Sequence, residues 1–475
     1  MKTGYSFVFL MLISTQFVFG QFVEHTRVYG QVETDINRGY RIRLMPDGNF
    51  MLAGQWNNQA YLTKVDCEGN TLATQFFGDV IGGTSSFDDV QQLPDSSWVA
   101  VGTCEFCVPG DTTAKVVLLK VDADLNYDTA TGVTILGKSA RYPQFPASTQ
   151  DSPQLLVDGT TLVLVAQYGN IGALNNSDFL LTKLDFDLDT VSTKLFHHQF
   201  FDLPVAIFKN PAGYLVVANH AFVSGAATIQ TDLLGNVLWT NIGISDITAY
   251  AARMLPNGNV LVCGVKSNNG GWLGEFGGTD GVFTGNELIL GGERATDLQL
   301  LPNDNVLLTA WFPLATGARS TRIYRLQTNP LQVAGTYDLV PNPDIFTNMG
   351  SHSIVPLSDD GTSFATTGVR GFYNRTFFHT KRDCSALTAP GHFAATLCPG
   401  ESIQIGNIIF NENNPTGSAI LPDVAVCGCD STVEVSLNFW PPAESAIAFT
   451  FCPGASLELD GMVFDEENPK GDIFY

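Results

Sequence analysis

One phrase recurs seven times in this sequence and limits the fold more than any other feature. It consists of an apolar run, a turn built from Pro, Asp, Asn or Gly, and a second apolar run. The first four copies read "IRLMPDGNFMLAG" from Ile42, "VQQLPDSSWVAVG" from Val90, "PQLLVDGTTLVLVA" from Pro153 and "AIFKNPAGYLVVA" from Ala206. The phrase returns as "ARMLPNGNVLVCG" from Ala252, "LQLLPNDNVLLTA" from Leu298 and "SIVPLSDDGTSFATTG" from Ser353. Each copy is a β-hairpin by its chemistry. Asp-Gly and Asn-Gly supply the positive-φ residues of a tight turn, and Pro presets the residue before it. The flanking runs are short and almost continuously apolar, as strands buried on both faces should be.

A second strand–turn–strand unit follows most copies, as in "AYLTKVDCEGNTLATQFFG" and "FLLTKLDFDLDTVSTKLF". Two hairpins make four antiparallel strands per repeat, and seven such repeats specify an all-β, seven-bladed β-propeller over residues 21–390. The alternative, a linear solenoid, uses shorter repeats and needs no closure. With 44% hydrophobic residues, 15% charged residues and 46 glycines in 475, the chain has the material for a large core and many turns. The seventh repeat lacks a clear fourth strand after "RTFFHTKRDCSALT", whereas "FVEHTRVYG" near the N-terminus resembles the fourth strands of other repeats. Residues 22–32 are therefore expected to pair with the blade of residues 351–388, which removes a free sheet edge.

The first twenty residues read as a secretory signal peptide: Lys2, then the apolar "FVFLMLISTQFVF", then small Val18 and Gly20 before Gln21. The protein is expected to be secreted or held at the cell surface. No later stretch reaches eighteen uninterrupted apolar residues, so no membrane-spanning segment is expected. A formal net charge of −23 repels phosphate backbones and anionic headgroups, which argues against nucleic acid or a bare lipid surface as partner. It suits a soluble monomer that meets an extracellular glycan or protein.

Catalytic signatures are absent: there is no Gly-x-Ser-x-Gly elbow, no His-Glu-x-x-His and no phosphate loop. "SDDGTSF" from Ser358 is similar to a sialidase Asp-box but one residue short, and reads as a hairpin turn. Asp122, Asp124, Asn126 and Asp128 alternate in one turn, and Asp185, Asp187 and Asp189 in another. Side-chain capping of the turn explains them, and a structural calcium ion is the second reading. No other cofactor is expected. His197 and His198 are strand neighbours that point to opposite faces and cannot readily share a metal. Trp56, Trp98, Trp239, Trp272 and Trp311 read as packing between blades, with a carbohydrate platform as the alternative.

Nine cysteines in an exported chain favour disulfides, and the odd count leaves one over. Cys104 and Cys107 sit in a loop within an all-β pattern, so "CEFC" reads as a local structural disulfide rather than a redox centre. Cys263 in "NVLVCGV" reads as a buried free thiol. After residue 390 the pattern changes. "LCPGESIQIGNIIFNENNPTGSAIL" and "FCPGASLELDGMVFDEENPKGDIFY" align without a gap, Cys398 with Cys452 and Phe410 with Phe464. Residues 391–442 are expected to form a small β-sandwich-like unit cross-linked by Cys398 to Cys427 or Cys429, and residues 443–475 a second, truncated copy. Tyr475 aligns with Leu421, six residues before the equivalent of Cys427. Cys452 would thus lack its partner, and the chain is expected to be a fragment of a longer protein.

Two resemblances rest on these motifs. Over residues ~35–385 the phrase "LPDGNFMLAG…AYLTKVDCEGN" resembles the propeller repeats of extracellular proteins from gliding bacteria. "CPGES" with "GCDSTVEVSL" resembles the C-terminal repeats of proteins exported by the type IX secretion system. That resemblance implies delivery to the cell surface or release, with a sorting signal in the missing part. Fold alone does not imply an activity. The leading expectation is a non-enzymatic binding or adhesion module. The alternatives are an enzyme acting on a polysaccharide or glycoprotein in the central channel, and a purely structural adhesin. Two channel carboxylates ~5–10 Å apart beside exposed aromatics would favour a glycosidase.

Overall fold

A computed structural model describes residues 22–29, 37–110, 114–127, 133–139, 153–169, 177–196, 202–220, 225–267, 270–290, 294–313, 319–339, 349–370, 375–383, 391–425, 429–441 and 446–472. Residues 1–20, expected to be a signal peptide, and His197, His198, Asp128 and Cys427 lie outside these residues. The chain divides into two compact units, Met1–Thr388 with Asp423–Cys429, and Ala389–Pro422 with Asp430–Tyr475.

The first unit contains seven four-stranded antiparallel sheets, here numbered as blades in chain order. Their first strands are Asn37–Leu44, Thr84–Gln92, Gln154–Asp158, Asp202–Asn210, Ile247–Met254, Arg294–Leu300 and Met349–Pro356. Each of these lies against the first strand of the next blade, and that of blade 7 lies against that of blade 1. The seven first strands therefore form a closed inner ring. This is a β-propeller, not a solenoid. Blades 1 to 6 each use four consecutive strands, whereas blade 7 takes its outermost strand from the N-terminus. Phe22–Val28 runs antiparallel to Arg375–Asp383, with Thr26 opposite His379.

Burial follows strand position. Phe50–Trp56, the second strand of blade 1, is buried along almost its whole length, while the outermost strand Thr71–Phe76 alternates exposed and half-buried residues. The core lies between the blades rather than within any one of them. Met51, Leu62, Phe87 and Trp98 join blades 1 and 2, and Leu261, Cys263, Leu308 and Tyr324 join blades 5 and 6. Ile42, Phe50, Ala365 and Phe378 close the ring between blades 7 and 1.

The glycine that ends the repeated phrase has a steric cause. A Cβ on Gly54 would stand 1.9 Å from the carbonyl oxygen of Arg38, one on Gly102 1.8 Å from that of Ser86, and one on Gly264 2.0 Å from that of Thr248. At all three positions the first strand comes too close for any side chain.

The second unit pairs Gly391–Leu397 with the central strand Cys429–Phe439, which also pairs with Thr416–Ala425. Phe410, Ala419, Val435 and Leu437 form its core. The first pairing is parallel, with Leu397 opposite Phe439, and it corrects the expected cross-link. Cys398 lies beside the C-terminal end of the central strand, whereas Cys429 begins that strand. At ~3.3 Å per residue those ends are roughly 30 Å apart. A disulfide needs Cα atoms within about 7 Å. Cys398 and Cys452 are both free and exposed. The hairpin Ile403–Ile405 with Ile408–Phe410 recurs as Leu457–Leu459 with Met462–Phe464, at the register of the gapless alignment.

Candidate functional site

In six blades the pairing of the first strand with the second is interrupted by one extra residue: Tyr40, Asp88, Val205, Tyr250, Thr296 or His352. Such bulges re-aim the side chains that follow them. The residues immediately after include Arg41, Asp89, Asp297 and Ser353, from blades 1, 2, 6 and 7. Two positions further on stand Arg43, Gln91, Arg253 and Gln299.

These side chains form one buried network at the centre of the ring. Arg41 Nε lies 3.1 Å from Asp89 Oδ1, and Arg41 Nη1 reaches past blade 7 to within 3.7 Å of Asp297 Oδ2. Arg43 Nη2 donates to Asp89 Oδ1 at 2.7 Å, and Arg253 Nη2 donates to Asp297 Oδ1 at 3.3 Å. Gln91 Nε2 also donates to Asp89 Oδ2, at 2.9 Å. Asp297 Oδ2 accepts from Ser353 Oγ and from the Ile354 N–H, both at 3.1 Å. Its carboxylate thereby ties together blades 1, 5, 6 and 7.

The two arginines of blade 1 respond differently. Burial works against the charge of Arg41, but Asp89 and Asp297 outweigh it and raise its pKa. Arg43 is pulled down, first by burial and then by Arg41 and Arg253 nearby, against the attraction of Asp89. Asp89 is deeply buried, which alone would raise its pKa; Arg43 and Arg41 hold it below the usual carboxylate range instead. Asp88, next in the chain, adds a further negative charge near Arg41.

A second group lies at the mouth where the inner strands begin. The Arg294 guanidinium stands 5.3 Å from the ring centre of Tyr250 and 5.8 Å from that of Trp311. Trp311 meets His352 edge-on at 5.5 Å, and His352 meets Tyr40 at 5.9 Å. Burial first, then Arg38 and Arg41, lower the His352 pKa to about 4, so its ring is neutral at pH 7.

The acidic turns are capped turns. Asp122 Oδ1 accepts the N–H groups of Asp124 at 2.9 Å and Asn126 at 2.8 Å, and its Oδ2 accepts Asn126 Nδ2 at 2.9 Å. Asp66, Asp185 and Asp232 cap their own turns with the same two backbone bonds. Among the described residues no group of three or more His, Cys, Asp or Glu side chains could hold a metal ion. The Asp122 carboxylate already has its donors, so millimolar Ca²⁺ is expected to leave the melting temperature unchanged and to release no binding heat. A calcium-dependent rise of several degrees, lost in Asp124→Ala, would restore the cation reading.

Cys104 and Cys107 form a disulfide at the end of a blade 2 strand, and Cys263 is a buried free thiol. Trp98 and Trp272 are fully buried in inter-blade clusters, whereas Trp56, Trp239 and Trp311 are partly exposed. "SDDGTSF" is a hairpin turn in which Asp360 accepts from the Thr362 N–H at 3.0 Å.

No family of proteins matches the chain, and no curated protein is similar to it in sequence. Among solved structures it is similar to a protein of unknown function from Bacteroides caccae, with 11% identity over 61% of this chain and 92% of that one, at a TM-score of 0.39. The AfRom2 CNH domain is similar with 9% identity over 75% and 98%, at a TM-score of 0.41. A protein of unknown function from Dyadobacter fermentans is similar with 11% identity over 62% and 93%, at a TM-score of 0.39.

Proposed function

We propose that this chain is an exported, non-enzymatic binding protein, with the propeller as a rigid scaffold and the Cys-Pro-Gly units as an appended stalk. Export rests on the signal-peptide pattern of residues 1–20 and on the resemblance of the Cys-Pro-Gly units. No helix among the described residues is long and apolar enough to cross a membrane.

The observation that carries the non-enzymatic reading is the state of the two axial carboxylates. A glycosidase needs one carboxyl with a raised pKa to protonate the leaving group and a second that meets substrate or water. Asp89 is held ionised by Arg41 and Arg43, and Asp297 accepts from Arg253, Ser353 and a backbone N–H. Both have side chains under 5% exposed. Neither has the freedom that a general acid or a nucleophile requires. Incubating the purified chain with a panel of polysaccharides and glycoproteins, beside a glycan array, tests the reading. Retention of a glycan or protein without hydrolysis is expected, and turnover of any polymer would replace binding by catalysis.

A further inference from the structure

The side of the inner ring formed by blades 5, 6, 7 and 1 runs against the sign of the protein's charge, although over all seven first strands Asp158, Asp202 and Lys209 bring the count to six basic residues against five acidic. Over the whole chain 47 acidic residues face 24 basic ones. Yet the four consecutive inner strands of blades 5, 6, 7 and 1 carry five arginines (Arg38, Arg41, Arg43, Arg253 and Arg294) and one acidic residue, Asp297. Adding the neighbouring Asp88 and Asp89 of blade 2 makes the count five against three, a surplus of two positive charges. Arg41, Arg43 and Arg253 reach the carboxylates of Asp89 and Asp297. The surplus therefore falls on Arg38 and Arg294, which have no carboxylate partner among the described residues.

Both lie at the mouth where the inner strands begin. Arg294 is exposed and flanked by the Tyr250 and Trp311 rings, a setting that holds the guanidinium without neutralising it. Trp311 is itself anchored, its Nε1 donating to the Ser351 carbonyl at 2.8 Å. Arg38 lies close to His352, which burial first, and then Arg38 and Arg41, keep neutral. Gln299 Nε2, deeper in the channel, is a buried donor without a hydrogen-bond partner among the described residues. Donors and positive charge lie together here, and among the described residues no carboxylate pairs with Arg38 or Arg294.

Resting on the binding reading above, we propose that the strand-start mouth of the channel binds a carboxylate-bearing glycan of the uronic-acid class. Arg38 and Arg294 engage its carboxylates, and the partly exposed Trp311 ring lies beside its sugar. Guanidinium groups match carboxylates with paired, planar N–H donors. A cleft lined by one sign of charge also concentrates ligands of the opposite sign, which the acidic outer surface would otherwise repel. An aromatic ring beside the arginines favours a sugar over an acidic peptide.

The test is calorimetry on the full chain with three probes: an oligogalacturonate, the same oligosaccharide with its carboxyls reduced to alcohols, and poly-glutamate of similar charge. The oligogalacturonate is expected to bind, and to bind more weakly as NaCl rises from 50 to 300 mM. The reduced oligosaccharide and poly-glutamate are expected not to bind. Arg294→Gln should weaken binding by about tenfold, and Arg38→Gln with Arg294→Gln should abolish it. Neither arginine is fully buried, so both variants should keep the parent melting temperature. Oligogalacturonate that does not bind, or that binds the double variant as well as the parent, would overturn the proposal. Poly-glutamate bound through the same two arginines would move the site to acidic peptides and overturn the glycan assignment. A neutral glycan bound elsewhere would leave the binding reading standing while this proposal fell, whereas hydrolysis of any probe would remove the binding reading itself.

Discussion

Replacing Asp297 by alanine is expected to cost the propeller about 3–5 kcal/mol of stability, the range for breaking one side of a buried ion pair. The carboxylate is 1% exposed and serves Arg41, Arg253, Ser353 and the Leu298 and Ile354 N–H groups. Its removal strips those donors of an acceptor and leaves three half-buried arginines facing Asp88 and Asp89. Isolated buried positive charge is the costly element. Asp297→Ala with Arg253→Met should therefore be more stable than the sum of the single changes, because one bare charge goes with its partner. Asp297→Asn, which keeps the shape and loses the charge, should fall between parent and alanine. Asp95→Ala, at an ion pair with Lys120 whose carboxylate is 48% exposed, is the surface control and should cost no more than about 1 kcal/mol. Urea denaturation followed by circular dichroism measures these four and the single Arg253→Met variant. A loss below ~1 kcal/mol for Asp297→Ala would mean that the axial network does not hold the ring together.

The axial network was legible in the sequence but needed an alignment of the repeats on their turns. Counted back from the turn prolines Pro46, Pro94 and Pro302, the fifth residue is Arg41, Asp89 or Asp297, and the third is Arg43, Gln91 or Gln299. Arg253 stands at the same third place before Pro256. Charged residues at fixed offsets in otherwise apolar strands are a signal that hairpin chemistry alone does not read. The pairing itself could not be read, because it depends on the bulge that re-aims each side chain and on ring closure, which brings Arg41 to Asp297. The seven hairpin phrases and the N-terminal strand were readable because both are local patterns with fixed turn chemistry. The Cys398 cross-link failed for the opposite reason. Its spacing suited a hairpin-connected sandwich, but the strand just before it, Gly391–Leu397, runs parallel to Cys429–Phe439, and strand direction is not written in cysteine spacing.

Acidification from pH 6.5 to about pH 5 is expected to destabilise the propeller while most of its carboxylates are still ionised. His352 and His379 are buried, at 9% and 3% exposed, and each has its pKa lowered from 6.5 to about 4. For His379 burial is the larger cause, followed by Lys381 and His25. A histidine whose folded pKa lies below its unfolded value binds fewer protons when folded, so stability rises with pH between the two values. The contribution is complete above pH 6.5 and is lost as pH falls to about 4. Each histidine contributes on the order of 3 kcal/mol. Asp89, with an ordinary value of 3.8, and Glu287, with 4.5, are held below those values, so their contributions are lost at the acid end of this range and below it. His379 has the more local consequence. Its Nδ1 lies 2.8 Å from Thr26 Oγ1 on the N-terminal strand, and its ring stacks on Tyr337. Charging it would act on the strand that closes the ring, so amide exchange in Phe22–Val28 should rise ahead of exchange in blades 1 to 6. Urea midpoints at pH 7, 6, 5 and 4.5 measure the effect, with His352→Phe and His379→Phe each removing about half of the slope. Midpoints that stay level across that range in the parent protein would show that neither histidine is buried in its neutral form.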